Sequence, residues 1–467
     1  MQVQQAQTSF RDKVATADKE GKRIWLFPTK PKGKLYNART LLSILYLLVF
    51  FTMPFIKVEG HPVFLMNVLE RKFILFGQIF WPQDFFIFGL GMVVFIVFIA
   101  LFTVVFGRVF CGWACPQTIF MEMVFRKIEY LIEGDGARQK LLAKQPWNTD
   151  KIIKKFSKWT IFWIVSFLIA NTFLAYVIGI DELKTIITEP ISKHVGGFVG
   201  IAIFTSIFFF VYSWFREQVC TVVCPYGRMQ GVLLDKNSMV ISYDYVRGER
   251  RGKFKKNAER DLGDCIDCNQ CVKVCPTGID IRNGTQMDCT NCTACIDACD
   301  AMMKAVGFET GLIRFASENN ISKKEPTRFT GRMRAYSGVM VLLLGVLVYL
   351  LASRTDVGIS VLRTPGQLYQ ELPGGVLSNL YNYKLLNKTY ADKQLEFRPE
   401  NFKGEITLVG EEKLLVPKEE YLSGSMFIKI PQAQVKERKT QLKIGVYEDG
   451  QKIATIKTSF LGPFSGI

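Results

Sequence analysis

Histidine is nearly absent from this chain: His61 and His194 are the only two in 467 residues. Two imidazoles cannot supply the paired axial ligands of a membrane di-haem cytochrome. The scattered cysteines of a secreted disulfide scaffold are missing too, since no cysteine precedes Cys111 or follows Cys299. The first 39 residues are polar and basic, so no cleavable signal peptide is expected. Acidic residues are also short, 42 against 59 basic ones, for a formal charge of +17. Such an excess suits nucleic acid, anionic lipid or the basic loops of a membrane protein.

Apolar length is what the sequence has. Runs at 40–57, 85–107, 159–180, 197–215 and 336–353 are long and uncharged enough at their centres to cross a bilayer, although Pro54 and Lys57 interrupt the end of the first. Lys plus Arg number nine in 1–39, three in 57–84, ten in 108–158, two in 181–195 and nineteen in 216–335. Basic and less basic connections alternate, as five crossings from a cytoplasmic N-terminus require. Topology thus accounts for the charge. Membrane lipid is the expected surrounding and no nucleic-acid partner is expected.

Residues 355–467 alternate apolar and polar positions in short runs such as GISVLR (358–363), GSMFIKI (424–430) and QKIATIKTSF (451–460). Asp449-Gly450 between two such runs is a hairpin signal. The pattern predicts a small antiparallel β-sandwich with a structural or protein-binding role.

Chemistry resides in the twelve cysteines. Cys265, Cys268, Cys271 and Cys275 follow C-x2-C-x2-C-x3-C-P, and Cys289, Cys292, Cys295 and Cys299 repeat the spacing with Asp300 in place of the proline. Two such runs are the mark of a two-cluster ferredoxin, in which the fourth cysteine of each run serves the other cluster. One [4Fe–4S] cluster is assigned to Cys265, Cys268, Cys271 and Cys299, and the other to Cys289, Cys292, Cys295 and Cys275. Tetrahedral zinc is the competing use of paired C-x2-C motifs.

The remaining four cysteines form a parallel repeat. Cys111 and Cys115-Pro116 follow one pair of crossings, and Cys220 and Cys224-Pro225 follow the next, each just after a phenylalanine and an arginine (Phe106/Arg108 and Phe215/Arg216). A residue before proline resists the helical conformation, so each Cys-Pro is expected to open a new short helix with proline at its first position. A thiol there ionises more easily, and soft thiolates favour Cu(I). Packing cysteines, a catalytic disulfide, and further iron–sulfur or zinc ligation stay open beside copper. Met121, Met123, Met302 and Met303 read as core residues despite their affinity for Cu(I). His61 and His194 read as loop residues, and Asn387-Lys388-Thr389 as an acceptor sequon without weight.

The segments FCGWACPQT, VCTVVCPYGR, the double ferredoxin run and GLIRF resemble the FixG/RdxA/CcoG family, accessory proteins of cbb3-type cytochrome c oxidase. The resemblance covers nearly the whole chain. It implies a mixed multidomain membrane protein of the bacterial inner membrane, with about five transmembrane α-helices, a cytoplasmic two-cluster bacterial-ferredoxin-like domain and a C-terminal immunoglobulin-like β-sandwich on the periplasmic side. The corresponding divisions are 1–39, 40–220, 221–335, 336–354 and 355–467. The resemblance further implies an oxidoreductase that reduces Cu(II) to Cu(I) at Cys111, Cys115, Cys220 and Cys224. Copper is then substrate, and a copper-exporting P-type ATPase and oxidase assembly factors are partners. The electron donor is unspecified and a homodimer stays open. A quinol-linked polyferredoxin subunit and a non-enzymatic assembly scaffold are the alternatives.

Overall fold

The computed structural model describes residues 16–463, apart from 19, 21, 59, 69–71, 255–260, 327, 328, 367, 411, 412 and 436. The first 15 residues of the basic N-terminal segment lie outside the described residues. Among the described residues, five helical spans are long and apolar enough to cross a membrane: α1 Lys34–Phe55, α2 Phe85–Phe106, α3 Thr149–Ile178, α4 Val195–Phe215 and α5 Gly331–Ala352. Large apolar side chains such as Leu41, Leu48, Phe95, Val341 and Leu342 are exposed along them. Patches of that extent suit lipid rather than water.

The chain divides into two compact units, Met1–Ile56 with Leu90–Gly345 and Lys57–Gly89 with Val346–Ile467. In the first unit, α1 begins six residues before the expected start at 40. Its leading backbone N–H groups, which lack partners within the helix, are taken by a distant residue. Leu35 N and Tyr36 N donate to the Asp297 carboxylate at 3.2 and 2.7 Å. A cap supplied from 262 positions away cannot be read from local sequence. Helix α3 also starts early, ten residues before 159, where the Asn148 side chain accepts from Lys151 N at 2.8 Å. This cap is local and follows the ordinary N-cap preference. Strand Val240–Tyr243 pairs antiparallel with Ile313–Ala316, bracketing the double cysteine run.

In the second unit, strands Phe64–Asn67, Lys72–Leu75 and Gln78–Phe80 form an antiparallel sheet. Its Ile74 and Ile79 pack with Tyr390, whose hydroxyl donates to Gly77 O at 2.9 Å. Asp84 accepts from Arg354 at 2.9 Å and from Lys388 at 2.7 Å.

Among the described residues the β-sandwich has nine strands: β1 Val357–Arg363, β2 Gln370–Leu372, β3 Val376–Asn387, β4 Lys393–Pro399, β5 Glu405–Leu408, β6 Leu414–Val416, β7 Tyr421–Pro431, β8 Lys439–Glu448 and β9 Gln451–Leu461. One sheet runs β5-β7-β3-β1, with β2 also on β3, and the other runs β6-β4-β8-β9. Tyr381, Leu385, Met426 and Ile428 of the first share a core with Phe397, Ile444, Val446 and Phe460 of the second. The β8–β9 turn is the expected Asp449-Gly450, both at positive φ (48° and 81°), as a tight hairpin requires. The longest strand, β3, is the least legible, because the buried Asn379 and Asn387 interrupt its apolar alternation. Asn387 is fully buried and donates to Ala391 O and Val416 O. Its sequon is therefore a structural turn.

Candidate functional site

The two cysteine runs adopt matching backbones. Asp267 and Asn291, each two residues after the first cysteine of its run, have φ of 52°. Asn269 and Thr293, each one residue after the second cysteine, have φ of 57° and 66°. Left-handed residues alternating with right-handed ones turn successive N–H groups toward one concavity, a geometry suited to anionic clusters. Each run then enters a helix, Gln270–Lys273 or Ala294–Val306.

Two small cavities result. Cys265, Cys268, Cys271 and Cys299 line the first, with Tyr243, Met303 and Leu312. Cys275, Cys289, Cys292 and Cys295 line the second, with Ile241, Ile279 and Ile281 and the edge of Cys271. In both, three thiols come from one run and the fourth from the other. Burial pushes the Cys271, Cys289 and Cys299 thiols up to about 12 and Cys275 to about 11. Such thiols surrender their protons to a metal far more readily than to water. A single tetrahedral zinc would hold its thiolates about 2.3 Å away. Among the described residues no three His, Cys, Asp or Glu side chains stand together as a ready single-ion site. Four cysteines around each cavity, three from one run and one from the other, are the donor set of a [4Fe–4S] cluster. Asp300, where proline stood in the first run, accepts from Gly311 N at 2.8 Å and holds the following loop.

The second group of thiols is built by the repeat. Cys111 lies in the short helix Val109–Trp113, and Cys115 caps the helix starting at Pro116. Cys220 lies in the turn Val219–Val223, and Cys224 caps the helix starting at Pro225. Both Cys-Pro steps therefore open helices, as expected. Cys115 N donates to Phe110 O at 2.9 Å and Cys224 N to Val219 O at 2.8 Å, the same five-residue closure. Turns of this wide π type recur at functional sites.

The four thiols lie within electrostatic reach of one another. Cys111 Sγ also contacts Gln230 Oε1 at 2.8 Å. Burial pushes the Cys111 thiol up and that of Cys220 up to about 12. The easier ionisation expected of the repeat concerns the thiols before proline, Cys115 and Cys224, whereas these two sit inside the turns rather than at the helix starts. All twelve cysteines are free thiols.

The quartet abuts the second cavity. A Cβ on Gly112 would stand 2.5 Å from Thr290 O, 2.9 Å from Asn291 O and 2.9 Å from Cys292 Cα. Only glycine permits that approach of Cys111–Cys115 to Cys289–Cys292. Arg39 Nε donates to Gly112 O at 2.7 Å from the other side.

A buried ion network near the quartet was not legible as a site. Arg216 donates twice to Glu129, at 2.9 and 2.7 Å. Arg126 pairs with Glu122 at 3.2 Å and Glu217 at 3.4 Å, and Lys158 with Glu133 at 2.9 Å. Burial works to raise the Glu129 carboxyl, but Arg216, Lys158 and Arg126 overcome it and hold it below the usual range. Its sequence trace is the one-face spacing of Glu122, Arg126, Glu129 and Glu133.

The weaker candidates have ordinary roles. Met121 packs among Phe120, Phe125 and Tyr212, Met123 accepts from Thr40, and Met303 walls the first cavity while Met302 packs beside it. His61 stacks on Tyr390 and pairs with Glu419, and His194 pairs with Glu189.

Residues 215–318 match the family described as a 4Fe-4S dicluster domain, and residues 88–133 one described as a 4Fe-4S binding domain. Residues 347–463 match the Ig-like fold at the C-terminus of FixG. Protein RdxA of Cereibacter sphaeroides is 30% identical over 94% of this chain and 98% of its own. Protein RdxB of the same organism is 31% identical, covering 80% of this chain and 81% of its own. The nitrogen fixation protein FixG of Rhizobium meliloti is 35% identical over 63% of this chain and 58% of its own. A FixG-related protein from Vibrio parahaemolyticus, whose crystal structure is known, is 18% identical over 23% of this chain and 97% of its own, with a TM-score of 0.20.

Proposed function

This chain belongs to the FixG/RdxA family of membrane iron–sulfur electron-transfer proteins, and from that premise we propose that it reduces Cu(II) to Cu(I) at the Cys111, Cys115, Cys220 and Cys224 quartet. Cys265, Cys268, Cys271 and Cys299 hold one [4Fe–4S] cluster, and Cys289, Cys292, Cys295 and Cys275 the other. When bound, the two clusters supply electrons one at a time. One Cu(II) consumes one electron and leaves as Cu(I), a soft ion that thiolates prefer. Cys115 and Cys224, at helix starts, receive the incoming cation, and the half-buried Cys111 and Cys220 complete a sulfur-rich surrounding that disfavours Cu(II). Exposed Asp267 and Asn269 beside the first cavity are the approach for an external single-electron donor. Cytoplasmic Cu(I) then passes to a copper-exporting P-type ATPase and onward to assembly of cbb3-type oxidase in the bacterial inner membrane.

The observation that carries this reading is the convergence of the two thiol pairs, the first of which packs against the Cys289–Cys292 segment. A second reading is favoured by the iron–sulfur family match across Cys111 and Cys115, in which the quartet holds a third cluster. The test is anaerobic purification with iron, sulfide and copper analysis, followed by a Cu(II) reduction assay on the Cys111→Ser/Cys115→Ser double variant. Copper reduction is expected to vanish while iron stays at two clusters' worth in wild type and variant alike. A third cluster's worth of iron in wild type, lost in the variant, rejects copper as substrate of the quartet. Cluster reduction by quinol without any copper reduction supports instead a quinol-linked subunit.

A further inference from the structure

An arginine precedes each thiol motif, Arg108 before Cys111 and Arg216 before Cys220, and the repeat predicts like roles for them. The structure gives them unlike ones. Both are buried, at 3% and 5% exposure. Arg216 is answered by carboxylates, with two hydrogen bonds to Glu129 and an ion pair to Glu217 at 3.6 Å. Arg108 has no ion pair with a carboxylate among the described residues.

Its surroundings are sulfur and backbone. Arg108 Nη1 donates to the carbonyl of Met287, two residues before Cys289. Nη2 lies over Gly227 of the second motif, 2.8 Å from where a Cβ would stand, and that point is 2.9 Å from Cys220 O. Nε is buried with no hydrogen-bond partner. The guanidinium also reaches the Cys111 thiol and acts on Cys289. One side chain thus joins both thiol motifs to the loop of the second cavity.

A guanidinium keeps its charge in proteins, and a buried cation without a counter-charge is strongly disfavoured. The ionisable groups on which its charge is seen to act are the Cys111 and Cys289 thiols. We propose that Arg108 is a positioning residue whose counter-charge is the thiolate set of the cluster at Cys275, Cys289, Cys292 and Cys295, and that its fixed charge raises the reduction potential of that cluster. Net charge and hydrogen bonding around the sulfurs set such potentials. A cation there stabilises the reduced, more negative state and brings its potential nearer to that of the quartet beside it. The inference rests on assigning Cys289 to a cluster, and does not rest on copper as substrate.

The test therefore contains no copper. The full chain and its Arg108→Gln and Arg108→Lys variants are purified anaerobically in detergent. Iron and acid-labile sulfide are counted, and the clusters are titrated with dithionite and mediators under EPR. Full iron content in wild type checks the cluster assignment separately from the role of Arg108. The expected result is that Arg108→Gln moves one of two midpoints to more negative potential and leaves the other unchanged, while Arg108→Lys retains most of the wild-type value. Unchanged midpoints at full iron content overturn the proposal, as do equal shifts in both clusters. Equal shifts in the Gln and Lys variants also overturn it, since shape rather than charge would then matter. Should Arg108→Gln lose iron, Arg108→Lys decides: full iron and a near-wild-type midpoint support the counter-charge, and loss of iron there too makes Arg108 a steric strut.

Discussion

Gly112→Ala sets two effects against each other, and their magnitudes decide the sign. Gly112 sits within the short helix Val109–Trp113. In an exposed helix interior, alanine would gain about 1 kcal/mol over glycine. Here the new Cβ would meet Thr290 O at 2.5 Å and Cys292 Cα at 2.9 Å. All three nearest atoms are backbone, so no side chain can rotate away. Relief to ordinary contact needs the two segments to part by roughly 1 Å, and overpacking of this kind costs about 1–3 kcal/mol. The clash exceeds the propensity gain, so the net effect is destabilising by about 0–2 kcal/mol. The same displacement also moves Gly112 O from Arg39 and the quartet from the Cys289 loop. Gly338→Ala in α5, where a Cβ meets nothing within 4 Å, is the control and should be neutral or stabilising. Thermal denaturation of the detergent-solubilised chain, followed by size-exclusion fluorescence, measures stability. Stopped-flow mixing of the dithionite-reduced chain with Cu(II) measures transfer to the quartet. Gly112→Ala is expected to melt below wild type and transfer electrons more slowly at full iron content. A Gly112→Ala chain that melts at or above wild type with undiminished transfer would refute the close approach of the two segments.

Asp297→Ala removes the carboxylate that caps α1, and should lower stability by about 0.5–2 kcal/mol. Asp297→Asn, which can still accept a hydrogen bond, should fall between them on the same melting assay. The pH dependence follows from Glu129, whose folded carboxyl is held below its ordinary value. Its contribution is fully present above the unfolded carboxylate value of about 4.3 and is lost as pH falls toward the depressed folded value. The melting temperature should accordingly drop on acidification below that point, and a flat profile there would show that the ion network contributes no net stability.

The parts of the site that were legible in the sequence are those where chemistry demands covalent partners at fixed spacing. The crossed sets of thiols around the two cavities follow from C-x2-C-x2-C-x3-C, because three closely spaced cysteines reach one cavity and the fourth, beyond a helical turn, reaches the other. The helix starts at Pro116 and Pro225 were legible because proline restricts the residue before it. What was hidden depends on residues far apart in sequence. The Asp297 cap on α1, the Gly112 approach to Cys292 and the pairing of Glu129 with Arg216 have no local signature. The expected easier ionisation concerned only the thiols at the helix starts, and spacing gave no sign of the burial that raises the Cys111 and Cys220 thiols. Strand β3 was obscured because Asn379 and Asn387 are polar by type yet buried by position.

Packing also constrains the number of crossings, independently of loop charge. The segment Lys57–Gly89 follows α1 and forms one unit with Val346–Ile467, which follows α5. Segments that pack together share a side, so an even number of crossings must separate them. Helices α2, α3, α4 and α5 supply four. The first thiol motif follows α2 and the second follows α4, and the two motifs meet. An even number must separate these as well, and α3 and α4 supply it. Deleting any one of the four helices makes at least one of the two parities odd. The segment before α1, the run interrupted by Pro54 and Lys57, binds the cysteine-bearing fold, with Thr29 N donating to Lys273 O at 2.8 Å and Leu35 and Tyr36 donating to Asp297.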